Sequence, residues 1–445
     1  MEIYSVGGYN EVGKNMTVVK VGDDAFIFDC GLFIPAVVEL QEQKVYEYTE
    51  RRLRNKGAVP NDLILDKLGI RGKVRAIVLG HGHLDHIGSV PYLSHRYNAP
   101  IIGSPYTIEI LKKMLENEKT TIPNKMITCK LNSIVTVKGK NRDYQIELIN
   151  MTHSIPHATM IVLHTPEGAV VYGNDFKIDN TPVIGQPPNY NAMKRLSKEG
   201  VKVAILDCLY CGAKYKTPSE RVARNMLNEV MLTIQNENAG MFVTTFSSHI
   251  ARLKSIVDFA KKLDRKIIFL GRSLNTYVSA ASRVGLTPFR RDIEIKAYSK
   301  QVQSTLRKIG NERNKYLVVC TGHQGEPGSI LERISRKQLP FSFKKNDNLI
   351  FSSKTIPVPV NIKNKEEMDR RLEKSGVRIF DEVHVSGHGG KEDIRDLINL
   401  LNPEHIIPSH GPVEKTSPME LLAGEEGYNV KRQVHLMGNG KKLVL

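Results

Sequence analysis

Four ligand-type side chains fall within six residues in His81-Gly82-His83-Leu84-Asp85-His86, and a chain carrying such a segment must fold so that these side chains converge with others from elsewhere. The segment directly follows the apolar run Ala76-Ile77-Val78-Leu79, which reads as a buried strand, so the ligands stand on a loop at a strand end. His81 and His83 alternate along extended backbone and can face one ion; Asp85 and His86, past the bend, can face a second. The spacing suits two divalent ions. A polar loop with incidental histidines is the weaker reading, because His-x-His-x-Asp-His is far more specific than a lone histidine and further candidate ligands recur downstream.

Those candidates also stand where strands should end. Asp29 follows Ala25-Phe26-Ile27-Phe28, and Asp175 follows Val170-Val171-Tyr172-Gly173-Asn174. His153 lies in Met151-Thr152-His153-Ser154, and His410 in Ile406-Ile407-Pro408-Ser409-His410-Gly411. This pattern, in this order, resembles the metallo-β-lactamase superfamily. The resemblance implies one ion held by His81, His83 and His153, another by Asp85, His86 and His410, and Asp175 as a carboxylate bridging both. It gives Asp29 the task of orienting a ligand through a hydrogen bond. Zinc fits this mixed imidazole and carboxylate set best, with manganese and magnesium as alternatives, and hydrolysis is the default reaction.

At 445 residues and 40% hydrophobic content the chain can bury a large core, and two or three domains are expected. No stretch approaches the roughly 18 apolar residues of a membrane span, and Met1-Glu2-Ile3-Tyr4-Ser5-Val6 runs into a strand-like pattern without a signal-peptide core, which points to the cytoplasm. Five scattered cysteines, Cys30, Cys129, Cys208, Cys211 and Cys320, argue against a disulfide framework. Only Cys208-Leu209-Tyr210-Cys211 has metal-like spacing, and a single such pair is weak evidence for a zinc ribbon.

Residues 1–205 read as short strands and turns with helices over Val90–Tyr97 and Pro105–Glu118, and with strands at Val74–Leu79, Gln145–Asn150, Met160–His164 and Ala169–Tyr172. Residues 41–73 read as a loop or helical excursion. From Pro218 to Gln235 a long amphipathic helix is expected. Alternating units then follow at Met241–Thr245, His249–Leu263, Lys266–Leu270 and Tyr316–Cys320, a rhythm that predicts a parallel sheet covered by helices. Because His410 must return to a site formed by residues 81–175, the middle segment reads as an insertion. The expected divisions are 1–210 and 353–445 for the metal-binding domain and 211–352 for the insertion.

An inserted α/β domain preceded by Asp207 and followed by His388 and His410 resembles the β-CASP branch of the superfamily, whose members cut nucleic acids. The implied fold is α/β, an αββα sandwich carrying a β-CASP domain. The branch implies that His388, oriented by Asp207, acts beside the scissile phosphate as a proton donor or as a stabiliser of its charge. It also places Asp85 among the catalytic residues. Within the branch, Phe246-Ser247-Ser248-His249-Ile250-Ala251-Arg252, Gly271-Arg272-Ser273, Thr321-Gly322-His323-Gln324-Gly325-Glu326-Pro327 and His384-Val385-Ser386-Gly387-His388-Gly389 resemble the ribonuclease J family. The resemblance is to its compact archaeal form, without N-terminal KH modules or a further C-terminal domain. His157 stands where the family often has Asp, and Cys208-Leu209-Tyr210 where Ser-Thr-Asn is usual.

The family implies a 5′-to-3′ exoribonuclease preferring 5′-monophosphorylated single-stranded RNA, with roles in RNA decay and maturation. Such an enzyme needs a pocket for the terminal phosphate; Ser247, Ser248, Ser386 and the backbone amides of Gly387, His388, Gly389 and Gly390 are suitable donors. The net charge of +17 agrees with an RNA partner. Residues 251–320 alone hold roughly 16 basic against 5 acidic side chains. A homodimer and association with RNA-processing machinery stay open, and no membrane partner is expected. Alternatives are a β-CASP endoribonuclease, a DNA nuclease, a small-molecule metallohydrolase and a non-catalytic RNA scaffold. The charge and insertion disfavour the small-molecule enzyme, and the complete ligand set disfavours the scaffold.

Overall fold

The computed structural model describes residues 1–45, 47–234 and 238–445. Two sheets lie face to face. The first runs across in the order Lys441–Val444, Glu2–Gly7, Met16–Val21, Asp24–Phe28, Val74–Leu79, Ile101–Gly103 and Met126–Thr128. The second runs His405–Ser409, Val201–Asp207, Gly168–Asn174, Thr159–Thr165, Asp143–Asn150 and Ser133–Lys138. Alternation along the strands divides their side chains between two apolar layers. Phe26 and Phe28 meet Val78, Ile146, Leu148, Val170 and Tyr172 between the sheets, while Ala25 and Ile27 face the outer helices. Helices Tyr190–Glu199 and Lys391–Leu401 cover the second sheet through Met193, Leu196, Leu397 and Leu401. The result is the expected αββα sandwich.

A third sheet, parallel throughout, lies in sequence between the second-sheet strands Val201–Asp207 and His405–Ser409. Its order is Ile293–Lys296, Lys266–Leu270, Tyr316–Cys320, Met241–Thr244, Asn348–Phe351 and Arg378–Phe380. Phe242, Ile268 and Val318 pack on one face with Leu306 and Met368. Val243, Phe269 and Val319 on the other join Leu253, Ile256 and Val278, in a cluster continuous with Ile108 and Leu111 of the helix Pro105–Glu118. Apolar packing therefore crosses from insertion to sandwich. At about 1.5–3 kcal/mol for each fully buried aliphatic side chain, it dominates the seating of one on the other.

The inserted sheet continues past residue 352, where the sequence reading closes the insertion. The helix Pro359–Glu373 buries Met368 and Leu372 against it, and Arg378–Phe380 pairs with Asn348–Phe351. Charge dominates the run from Lys363 to Glu373, so its narrow apolar face is inconspicuous. The helix expected from Pro218 spans Glu220–Thr233, started by Ser219, whose hydroxyl accepts from the Arg221 amide; Gln235 lies outside the described residues. Residues 41–73 carry short helices at Glu50–Asn55 and Leu63–Lys67 and the end of Ile34–Glu42. The segment expected as one helix over Val90–Tyr97 divides into Val90–Leu93 and a 3-10 turn at Ser94–Arg96. All five cysteines are buried and free of disulfides. Among the described residues no helix is long and apolar enough to cross a membrane.

Candidate metal centre

Strands Asp24–Phe28 and Val74–Leu79 run parallel, as do Gly168–Asn174, Val201–Asp207 and His405–Ser409. Their C-terminal ends deliver Asp29, His81, Asp175, Asp207 and His410 to one rim. Asp29 adopts the left-handed conformation, φ 62°, which aims its carboxylate across the loop after Val74–Leu79. One oxygen accepts from the Gly80 amide at 2.8 Å, and the other holds His86 Nδ1 at 2.7 Å. Gly31 lets this turn close, because a Cβ there would lie 1.6 Å from the Asp85 carbonyl oxygen.

His81, His83, His153 and Asp175 form one donor group. His83 Nδ1 lies 3.0 Å from His81 Nε2 and 3.2 Å from His153 Nε2. Nitrogens placed tetrahedrally around an ion at 2.0–2.1 Å stand about 3.3 Å apart, so these spacings fit such an ion. Burial holds all three histidines low, His83 at about 4, which keeps the imidazoles neutral and their lone pairs available. His153 Nδ1 donates to the Gly387 carbonyl at 2.7 Å, turning Nε2 inward. Gly387 permits that approach, since a Cβ would stand 2.7 Å from Ser154 Cβ.

Asp85, His86, Asp175 and His410 form a second group. His86 Nε2 lies 3.1 Å from Asp175 Oδ2 and 3.4 Å from Asp85 Oδ2, and His410 Nε2 lies 3.9 Å from the latter. Burial disfavours a charged His86, but Asp175, Asp85 and Asp29 outweigh it and raise its pKa well above the ordinary value. A proton on His86 thus does in part what a cation would do among these carboxylates. Asn15, absent from the sequence reading, joins the two histidines: its Oδ1 lies 3.1 Å from His410 Nδ1 and its Nδ2 3.1 Å from His86 Nε2. It precedes the strand Met16–Val21, so it reaches the same rim from a strand start, and a lone Asn between glycine-rich turns gives little signal.

Asp175 belongs to both groups, and to a third with Asp207, His388 and His410. His388 Nδ1 is 2.7 Å from Asp207 Oδ2, and its Nε2 points back to within 3.9 Å of Asp175 Oδ2. Burial works against the charged form of His388, yet Asp207 and Asp175 raise its pKa to about 9. The imidazole therefore carries a proton beside the donor groups.

The residues expected to hold a phosphate are arranged differently from the sequence reading. The amide of His388 donates to the Ser386 hydroxyl at 3.0 Å, that of Gly389 to the Phe176 carbonyl at 2.6 Å, and that of Gly390 to Thr217 Oγ1 and Asp393 Oδ2, each at 3.0 Å. These amides are committed to the loop's own fold, because the following helix Lys391–Leu401 uses Asp393 to cap its start. Ser247 Oγ is exposed and 2.9 Å from Ser273 Oγ. Ser248 is buried, with Oγ 3.0 Å from His83 Nε2.

Family models match three segments of the chain: "Metallo-beta-lactamase superfamily" over residues 9–176, "Ribonuclease J, beta-CASP domain" over 238–370 and "Zn-dependent metallo-hydrolase RNA specificity domain" over 377–432. With the sandwich, the inserted sheet and the donor groups, they define a metallo-hydrolase nuclease of the β-CASP type. The chain is 44% identical over 445 residues to the ribonuclease J of Methanocaldococcus jannaschii, covering 100% of this chain and 98% of the relative. To the ribonuclease J of Pyrococcus abyssi it is 39% identical over 442 residues, 99% of this chain and 96% of the relative. The ribonuclease J of Thermus thermophilus is 30% identical over 446 residues, which span 95% of this chain and 70% of that protein. The chain belongs to the ribonuclease J family. A crystal structure of a protein of unknown function from Enterococcus faecalis V583 shares the fold, with a TM-score of 0.67 and 16% identity over 100% of this chain and 99% of that one.

Proposed function

We propose that this protein hydrolyses RNA phosphodiesters with two divalent ions, zinc fitting best, and removes nucleotides from a 5′-monophosphorylated end. The observation that carries the reading is Asp175, whose carboxylate is common to two groups of three further donors each. His81, His83 and His153 would hold one ion and Asp85, His86 and His410 the other, with Asp175 shared. Oriented rings support this: Asp29 and the Gly387 carbonyl engage Nδ1 of His86 and of His153, which leaves Nε2 of each ring toward the proposed ions. Such a pair of ions lowers the pKa of a water and steadies the charge on both oxygens of an in-line displacement. The chain itself orients the imidazoles, screens the carboxylates from bulk water, and holds a proton on His388 Nε2 for the leaving oxygen.

For the terminal phosphate, with the amides of His388, Gly389 and Gly390 committed, the Gly387 amide and the hydroxyls of Ser247 and Ser386 are the donors to test. One RNA carrying a 5′-monophosphate, triphosphate or hydroxyl, labelled at either end, should be digested fastest as the monophosphate, with progressive shortening of the 3′-labelled strand. Internal fragments that do not depend on the 5′ group would mean an endonuclease.

The basic excess of residues 251–320 is offset from outside the segment at only a few positions. Arg252 and Arg265 are buried, Arg252 against Glu220, and Arg283 and Arg313 pair with Glu109 and Asp347, whereas Lys254, Lys261, Lys296 and Lys315 pair with acids of the segment itself. RNA affinity measured on an Asp175→Asn variant should still fall as salt rises, with a log-log slope of about −0.7 for each phosphate neutralised. A flat response would argue against a channel that tracks the backbone.

A further inference from the structure

Ser248 belongs to the insertion, yet its hydroxyl touches a donor histidine of the sandwich. Its Oγ lies 3.0 Å from His83 Nε2, while His83 Nδ1 faces His81 and His153 at 3.0 and 3.2 Å. A ring whose Nδ1 lone pair is to be shared with an ion must carry its proton on Nε2, and the Ser248 oxygen is the acceptor for that proton. Ser248 is 6% exposed, so its hydroxyl is directed at the ring and not at an open surface.

The turn that presents Ser248 is held from within the insertion. Ile250 N donates to the Ser248 carbonyl at 2.9 Å, and His249 N to that of Phe246 at 3.0 Å. Next to it, Glu220 receives His249 Nε2 at 3.2 Å and Arg252 at 2.6 and 2.9 Å. Arg252, fully buried, also donates to Ser352 O and Oγ at 2.9 Å each, tying the helix Ile250–Lys262 to the end of the strand Asn348–Phe351. A second insertion hydroxyl, Tyr277 Oη, lies 3.4 Å from the Gly82 carbonyl, between the two histidines of the loop.

We infer that Ser248 is a positioning residue for His83, so that the ion site formed by His81, His83 and His153 is completed only when the insertion is seated on the sandwich. The inference rests on the assignment of His83 to an ion. It makes metal affinity, and not only RNA binding, a property to which the inserted domain contributes.

The experiment measures the affinity of each of two Co(II) ions for the full-length metal-free protein, from visible absorption with a competing chelator. Ser248→Ala should weaken one ion by about tenfold to a hundredfold and leave the other unchanged. Ser248→Thr, which keeps the acceptor oxygen, should restore wild-type affinity, a rescue that a general loss of packing would not show. The charged network behind the turn is left intact, because removing one partner of a buried ion pair leaves an uncompensated charge and would confuse folding with metal binding. Wild-type affinities in Ser248→Ala, with His83→Ala losing one ion, would overturn the inference alone. Two ions retained in His83→Ala would overturn both the inference and the ligand assignment beneath it.

Discussion

Replacing Asp175 by Ala should abolish RNA hydrolysis and reduce bound metal from two ions to one or none. Its Oδ2 lies 3.1 Å from His86 Nε2 and 3.8 Å from both His81 Nε2 and His153 Nε2, and Oδ1 lies 3.5 Å from His410 Nδ1. No other carboxylate among the described residues is common to the donor groups. Two dications about 4 Å apart repel by about 16 kcal/mol at an effective dielectric of 20, four times the value for unit charges, so a shared anion is what lets both remain. Without it, the loss of several kcal/mol of transition-state stabilisation corresponds to at least about a thousandfold in rate. Asp175→Asn keeps the side chain's shape and removes only its charge, and should behave in the same way. Elemental analysis together with turnover of a labelled RNA checks the result; two retained ions with near-normal turnover would refute the dinuclear assignment.

The parts of this site that were legible in the sequence share a local cause. Asp29, His81, Asp175 and His410 each follow an apolar run that can only be a buried strand, and a polar residue just beyond such a run has to lie at the sheet's rim. The rest depends on contacts that no local pattern encodes. Asn15 precedes its strand, so nothing before it marks a rim. Ser248 was legible as a hydroxyl near the chemistry, but its partner, His83, is 165 positions away in the chain. The glycine-rich loop at 386–390 has the appearance of an anion cradle, yet Phe176, Thr217 and Asp393 have already taken the amides of Gly389 and Gly390, and Ser386 that of His388. The basic excess of the insertion was countable, whereas its partial offset by partners outside the counted segment, Glu220, Asp347 and Glu109, appears only when the chain is folded.

The inserted domain reaches the metal-bearing loop by two routes of different strength. Apolar contacts between the helices Pro105–Glu118 and Arg272–Arg283 supply adhesion, while Ser248 and Tyr277 supply direction. A hydrogen bond is worth about 0.5–1.5 kcal/mol net, too little to seat a domain but enough to select one imidazole orientation from several. The strands that carry the sandwich's donors thus set their positions coarsely, and contacts from outside the sandwich refine them.

Changing His388 to Ala should lower the hydrolysis rate by about 10²–10⁴ while leaving two ions bound, because the ring is assigned to proton transfer or charge stabilisation and not to metal ligation. The geometry favours that role. Nδ1 is committed to Asp207 at 2.7 Å, so only Nε2 can serve the substrate, and it faces the rim 3.9 Å from Asp175 Oδ2. Burial opposes a charge on this ring, but Asp207 and Asp175 raise its pKa to about 9, which keeps a proton in place. Dications beside it would repel the imidazolium and draw its pKa down toward neutrality, the range in which an imidazole can both give up a proton and regain it. Asp207→Asn should cost less than His388→Ala, since it leaves the ring present but removes the carboxylate that fixes its tautomer. His388 is also within the donor group of Asp175, Asp207 and His410, which could hold an ion itself. Metal content separates the two roles: loss of one equivalent in His388→Ala would make His388 a ligand, whereas a slow variant with both ions retained makes it the group that acts on the leaving oxygen.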